Sequence, residues 1–322
     1  MSINKNSIYA LVIFALVQSA EAQDINVQFE ANKKDYICGE PIILRTTIKN
    51  VSGQNIKSRN YAWGRNAGFT MYIAKDGNDF DNILSMQTIT RLKVSIPPKG
   101  YKFFRDRHFL PGNLTTNQKA ERLDMLIIPK SGDYGLKAVL KKRDGTTYAS
   151  KPIQFKVLPL KDKQDSISRL GDQNFLINLG SSIYYAHYVE EVWGGFPPGK
   201  SFGLEKFEEI ASVILKEHKD SVFREYVIYA DIMIHCEPGM SVRELKKRRH
   251  GMGLAESFIK EYPNSWLLPE VYRKQFQAHV YEKNKDKAEE VRKKVLQVAP
   301  NASVLRFVKG MDLSKLNKAP QK

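Results

Sequence analysis

The chain changes its hydrophobic period once, across the polar stretch Leu158–Asp172, and that change limits what it can fold into. Before the stretch, apolar and polar residues alternate. After it, apolar residues recur every three to four positions. Period two marks a strand with two unlike faces, and a period near 3.6 marks an amphipathic helix. Blocks of each kind, kept apart along the chain, predict a multidomain β + α fold with antiparallel strands first and an α-helical unit second.

The first block runs from Asp24 to about Leu158 as short strands separated by turns. In IILRTTIKN, the residues Ile42, Leu44, Thr46 and Ile48 alternate with Ile43, Arg45, Thr47 and Lys49. One set is expected on a core face and the other toward solvent. FTMYIAKDG closes on Asp76-Gly77, a strong turn signal. Seven or so such runs argue for an antiparallel sandwich. The order KKDYICGEPIILRTTIKNVSG, an IPPKG turn, SGDYGLKAVL and SKPIQFKV resembles bacterial immunoglobulin-like domains. The resemblance implies a β-sandwich fold and no particular activity. Tyr134 is expected to anchor a turn. Leu136, Ala138 and Leu140 should face inward, and Ile153, Phe155 and Val157 should line the last strand. The chain departs from antibody-type domains in lacking a Cys-Trp-Cys core. Trp63 falls instead in the irregular run Asn55–Phe69, with Lys57, Arg59, Tyr61 and Arg65, and is expected to pack at the core edge.

Beyond the linker, Leu204, Phe207, Ile210, Ala211 and Ile214 mark one helix face, and VFREYVIYADIMIHC reads as a second helix. An internal repeat follows: the segment starting at Leu215 aligns with those starting at Ile259 and Leu296. Each copy is expected to end one helix and start another, with Pro263 and Pro300 as breakers and Asn264 or Ser265 as caps. SFIKEYPNSWLLPEVYRKQFQAHVYEKNKDKAEEVRKKVLQVAPNA resembles tetratricopeptide repeats of bacterial envelope proteins, with Ala288 at the small packing position. It departs from that pattern at Gln275–Ala278. The resemblance implies a short TPR-like array with a groove for a protein or peptide partner.

These readings divide the chain into a signal peptide (1–22), a sandwich (23–158), a linker (159–172), a helical domain (173–312) and a disordered tail (313–322). Lys5, the apolar run Ile8–Val17 and Ala20-Glu21-Ala22 follow the order of a secretory leader. Export to the periplasm or medium is therefore expected, with no transmembrane span in the mature chain. Lys and Arg total 51 against 35 acidic residues, a formal charge of +16. Such a surplus attracts anionic envelope components; nucleic acid fits the charge but not the compartment.

Candidate chemistry is sparse. His235-Cys236 with His250 has no paired spacing typical of structural zinc, and adjacent helical residues diverge by about 100°. Glu190-Glu191, with Tyr184, Tyr185, His187 and Trp193, reads as a packed helix end. The chain carries no phosphate loop, serine elbow or HExxH. Catalytic residues, metal and cofactors are all expected to be none. The run Lys246, Lys247, Arg248 and Arg249 is the candidate surface for an anionic partner. A Cys38–Cys236 disulfide is permitted by an even count, but the two residues fall in different domains, so two separate buried thiols are expected. The function expected is that of an exported, non-catalytic binding or adaptor protein. The alternative is a secreted hydrolase or peptidase inhibitor acting through the sandwich loops. If the leader is processed as its pattern predicts, N-terminal sequencing of exported protein will begin at Gln23; a start at Met1 would exclude cleavage.

Overall fold

The computed structural model describes residues 24–57, 69–82, 102–104, 113–114, 116–128, 130–142, 144–159, 204–236, 242–302 and 305–314. The leader, Trp63, the IPPKG turn, the linker beyond 159 and the Glu190-Glu191 cluster lie outside these residues. The described strands are β1 (Ile25–Ala31), β2 (Asp35–Ile37), β3 (Pro41–Asn50), β4 (Ile56–Lys57), β5 (Phe69–Lys75) and β6 (Asp81–Asn82). They continue with β7 (Lys102–Phe104), β8 (Asn113–Leu114), β9 (Lys119–Ile127), β10 (Gly132–Lys141), β11 (Thr147–Ala149) and β12 (Ile153–Leu158). Six helices follow: α1 (Leu204–Glu217), α2 (Arg224–His235), α3 (Val242–Glu261), α4 (Leu268–Tyr281), α5 (Lys285–Val298) and α6 (Leu305–Gly310).

The strands form two main sheets. One has the order β1-β3-β9-β7 and is antiparallel throughout. The other has the order β2-β12-β10-β5-β6, with β11 also on β10 and a parallel pairing between β12 and β2. Their facing sides share a core: Ile42, Leu44, Ile48 and Leu126 from the first, and Met71, Ile73, Leu136 and Phe155 from the second. Tyr134, Leu136, Ala138, Leu140, Phe155 and Val157 are buried as the alternation predicts. The Tyr134 hydroxyl donates to the Lys130 carbonyl at 2.9 Å, which ties the turn to the strand that follows it. Asp76 and Gly77 both take positive φ, 51° and 78°, the combination a tight hairpin turn requires.

The opposite face of the first sheet corrects the expectation that one side of β3 meets solvent. Ile43, Met125 and Ile127 are buried in the core of the helices, not exposed to water. Sequence alternation separates two faces, but it does not say what covers the second one. Here Ile43 supplies an apolar contact on that face, and Met125 and Ile127 on the paired strand extend it. The strand and helical halves therefore share one apolar contact layer.

Helix boundaries follow the repeat register closely. The three aligned segments end helices at Glu217, Glu261 and Val298, and the next helix begins seven residues later each time, at Arg224, Leu268 and Leu305. Ser265 accepts a hydrogen bond from the Leu267 amide at 3.1 Å, although Leu267 itself is the residue that caps α4. Asn284 caps α5 by accepting from the Lys287 amide. The central helix α2 is buried at every position from Tyr226 to Ile234. That is why its apolar pattern is nearly continuous and not one-sided.

Two boundary expectations change. Leu313 is 4% exposed and belongs to the helical core, so the ordered chain runs past the expected start of the tail at residue 313. Cys38 and Cys236 are both free and buried, in separate cores, as two independent thiols and not as a bridge. Among the described residues, no helix is long and apolar enough to cross a membrane.

The shared layer can be tested at its centre. Met125→Ala should cost about 2–5 kcal/mol, as for other buried large-to-small changes. Sheet and helix signals should still be lost in one transition, shifted together to lower temperature. A helical transition that stays in place while the sheet signal moves would show that the two cores are independent.

Candidate functional site

Two places bring chemistry-bearing side chains together. The first is the seam between the sheet and the helices. At one end, the Asn32 amide donates to the Tyr226 hydroxyl at 3.3 Å, and the Tyr36 hydroxyl donates to Asn32 Oδ1 at 2.8 Å. Lys33 lies over the Tyr226 ring, 5.6 Å from its centroid, and pairs with Glu40 at 2.6 Å. Burial pushes the Tyr226 phenol well above its ordinary range, and the Glu40 carboxylate adds to the effect. Tyr226 therefore serves as a neutral hydrogen-bonding post.

At the other end, the Arg45 guanidinium stacks on Trp266, 4.0 Å from the ring centroid. Desolvated pairs of this kind contribute about 2 kcal/mol and exposed ones less. The Glu121 amide donates to the Asn301 carbonyl at 3.0 Å, and Glu121 bridges Ala302, so the loop after α5 occupies part of the edge of β9. Between these contacts lies a cavity of about 110 Å³, lined by Arg45, Glu121, Leu123, Trp266, Pro269, Val298 and their neighbours. It has room for several waters or one small side chain. Val298, on its rim, is 49% exposed.

The second place is the contact between α2 and α3. Asp231 and His235 stand four residues apart on α2, a spacing that puts both on one face. His235 Nδ1 lies 2.6 Å from Asp231 Oδ1. His250 reaches in from α3, with Nε2 3.8 Å from Asp231 Oδ2. The two imidazoles meet edge to face, with centroids 5.3 Å apart. Asp231 and His235 are buried, and His250 is 58% exposed. Gly251 makes the approach possible: a Cβ there would sit 2.8 Å from Cys236 Sγ and 2.9 Å from its backbone nitrogen.

The candidate residues read from sequence are placed as follows. His235 and His250 come together, while Cys236 packs against Gly251. Asp231 completes the group where Cys236 was considered. Its signal was present in the sequence: an acid within IYADIMIH, four residues before a histidine, cannot be buried without a partner. Lys246, Lys247, Arg248 and Arg249 lie within α3, which is already helical from Val242, and not in a displayed loop. Consecutive helical positions step by about 100°, so the run encircles the helix. Arg249 is exposed.

No protein-family model matches the chain, and no curated protein matches it. Solved structures give only distant likenesses. Escherichia coli α-2-macroglobulin in its native conformation is 10% identical, with 94% of this chain covered and a TM-score of 0.25. Salmonella α-2-macroglobulin reacted with methylamine gives the same identity and score over 91% of this chain. In both comparisons the chain spans 22% of the length of the matched protein. A candidate lipoprotein of Bacillus subtilis is 11% identical, with 81% of this chain and 83% of that one covered, at a TM-score of 0.19. Likeness at these scores does not reach a shared fold.

The glycine contact gives a direct test of the helix pair. Gly251→Ala should push α3 away from the Cys236 backbone, lower the melting temperature and separate the His235 and His250 rings. Unchanged stability together with unchanged imidazole chemical shifts would mean that the close approach does not hold the pair.

Proposed function

We propose that this chain is an exported, non-catalytic binding or adaptor protein of the bacterial envelope. In this reading an immunoglobulin-like sandwich supports a TPR-like helical array, and the partner is a protein or peptide. The carrying observation is the seam groove, where Trp266 is stacked by Arg45 beside an apolar rim at Val298. Trp and Arg are the residue types that most often dominate interface energies, and a small pocket beside them accepts one anchoring side chain. Because the sheet and helices share a buried layer, the groove is pre-organised. Binding then costs little loop ordering.

The net charge of +16 adds long-range attraction toward an acidic partner or envelope polymer. Lys246, Lys247, Arg248 and Arg249 are the proposed short-range contribution to that attraction. The hydrolase or inhibitor reading relies on loops that lie largely outside the described residues, and no observation here favours it.

Peptides selected against the purified chain by display should bind the groove. Val298→Asp, a change on an exposed rim, should weaken them by about tenfold or more, with the melting temperature kept. Trp266→Ala should abolish binding. Replacing Lys246, Lys247, Arg248 and Arg249 by Gln should instead lower salt-sensitive binding to acidic liposomes. Peptide affinity untouched by both groove variants would remove the groove from the proposal, and liposome binding untouched by the Gln variant would remove the basic run.

A further inference from the structure

We propose that Asp231, His235 and His250 form a binding site for a zinc-class divalent transition metal ion at the α2–α3 contact. The donor set is one carboxylate oxygen and two imidazole nitrogens, from two helices. One ligand atom from each residue lies within 4.8 Å of the others. Zinc takes nitrogen at about 2.0–2.1 Å and carboxylate oxygen at about 2.0–2.2 Å, so tetrahedral ligand atoms stand about 3.4 Å apart. The distances here bracket that value, from 2.6 Å between His235 and Asp231 to 3.8 Å between His250 and Asp231. Small side-chain rotations suffice to reach it.

Three features favour an ion over an ordinary helix ion pair. An i, i+4 Asp–His pair alone would be satisfied on α2. The third donor instead comes from a different helix, and its arrival depends on the close approach at Gly251. The two carboxylate oxygens divide their attention, Oδ1 toward His235 and Oδ2 toward His250. The site is also graded in access: Asp231 and His235 are buried, whereas His250 stands 58% exposed at the mouth. An ion can enter from the His250 side, and water can complete its coordination. Two imidazoles with one carboxylate suit zinc, cobalt, nickel or copper better than calcium or magnesium, which prefer all-oxygen sites. On binding, the metal takes the nitrogen lone pairs and the carboxylate oxygen, and any proton shared between His235 and Asp231 leaves to solvent. No electron transfer is involved. The bound ion would clip α3 to the buried helix α2.

Calorimetric titration of the purified, untagged full chain with Zn²⁺ should show one equivalent bound and a raised melting temperature. Co²⁺ should give visible absorption bands of a nitrogen- and oxygen-ligated ion, and Zn²⁺ should shift the His235 and His250 ring signals in NMR. His250→Gln changes a largely exposed side chain, so the metal-free melting temperature should hold while affinity falls by more than about 100-fold, beyond the 10–100-fold typical of outer-shell losses. The ring-signal test needs no variant, so it stands even if His250→Gln lowers stability. Absence of a stoichiometric site, or Zn²⁺ binding that leaves both ring signals unmoved, would overturn the proposal. So would affinity unchanged in His250→Gln.

Discussion

The fold depends on covering both faces of one sheet. β3 and β9 pack one row of side chains against the second sheet and the other row against helices. A sheet with one apolar face is satisfied by a single partner layer. This one carries Ile43, Met125 and Ile127 on its other side, so it needs a second. The helices meet that need. The Asn32–Tyr226 hydrogen bond and the Arg45–Trp266 stack then fix how they sit. Apolar burial supplies the attraction, and the polar contacts at either end of the seam supply its orientation.

Much of this architecture was legible in the residues. Period two placed Leu136, Ala138 and Leu140 in the core, and the repeat register marked the ends of α1, α3 and α5. Both signals are local, because they report the repeat of the element itself. The covering of Ile43 was not legible, since alternation distinguishes faces without naming what lies beyond them. The tail boundary failed for a related reason: Leu313 is one apolar residue in a polar context, and only the three-dimensional core shows where it goes.

The Asp231 cluster was half legible. His235 and His250 were noticed, but their natural third member was sought in the adjacent cysteine and not one helical turn back. Helical geometry favours the i, i+4 position over the neighbour, because adjacent residues diverge around the axis. The pairing of α2 with α3 could not be read from spacing, because it rests on a glycine whose role appears only when two backbones meet. The basic run shows the converse. Four cations in a row look like a patch on paper, and a helix distributes them around its circumference.

The seam also bears on the order in which the molecule can form. Asn32 and Tyr226 are 194 residues apart in sequence. A chain made from its N-terminus completes its strands well before the helices that cover them exist. During that interval the row at Ile43, Met125 and Ile127 faces water, and the stretch of β9 later bridged by Ala302 presents unpaired backbone. Contacts so distant are slow to close, and an apolar sheet with an open edge is a template for association with other chains. The helical half therefore acts late, as an internal chaperone for the strands already made. The last residues to arrive are among those that remove the first strands' exposure.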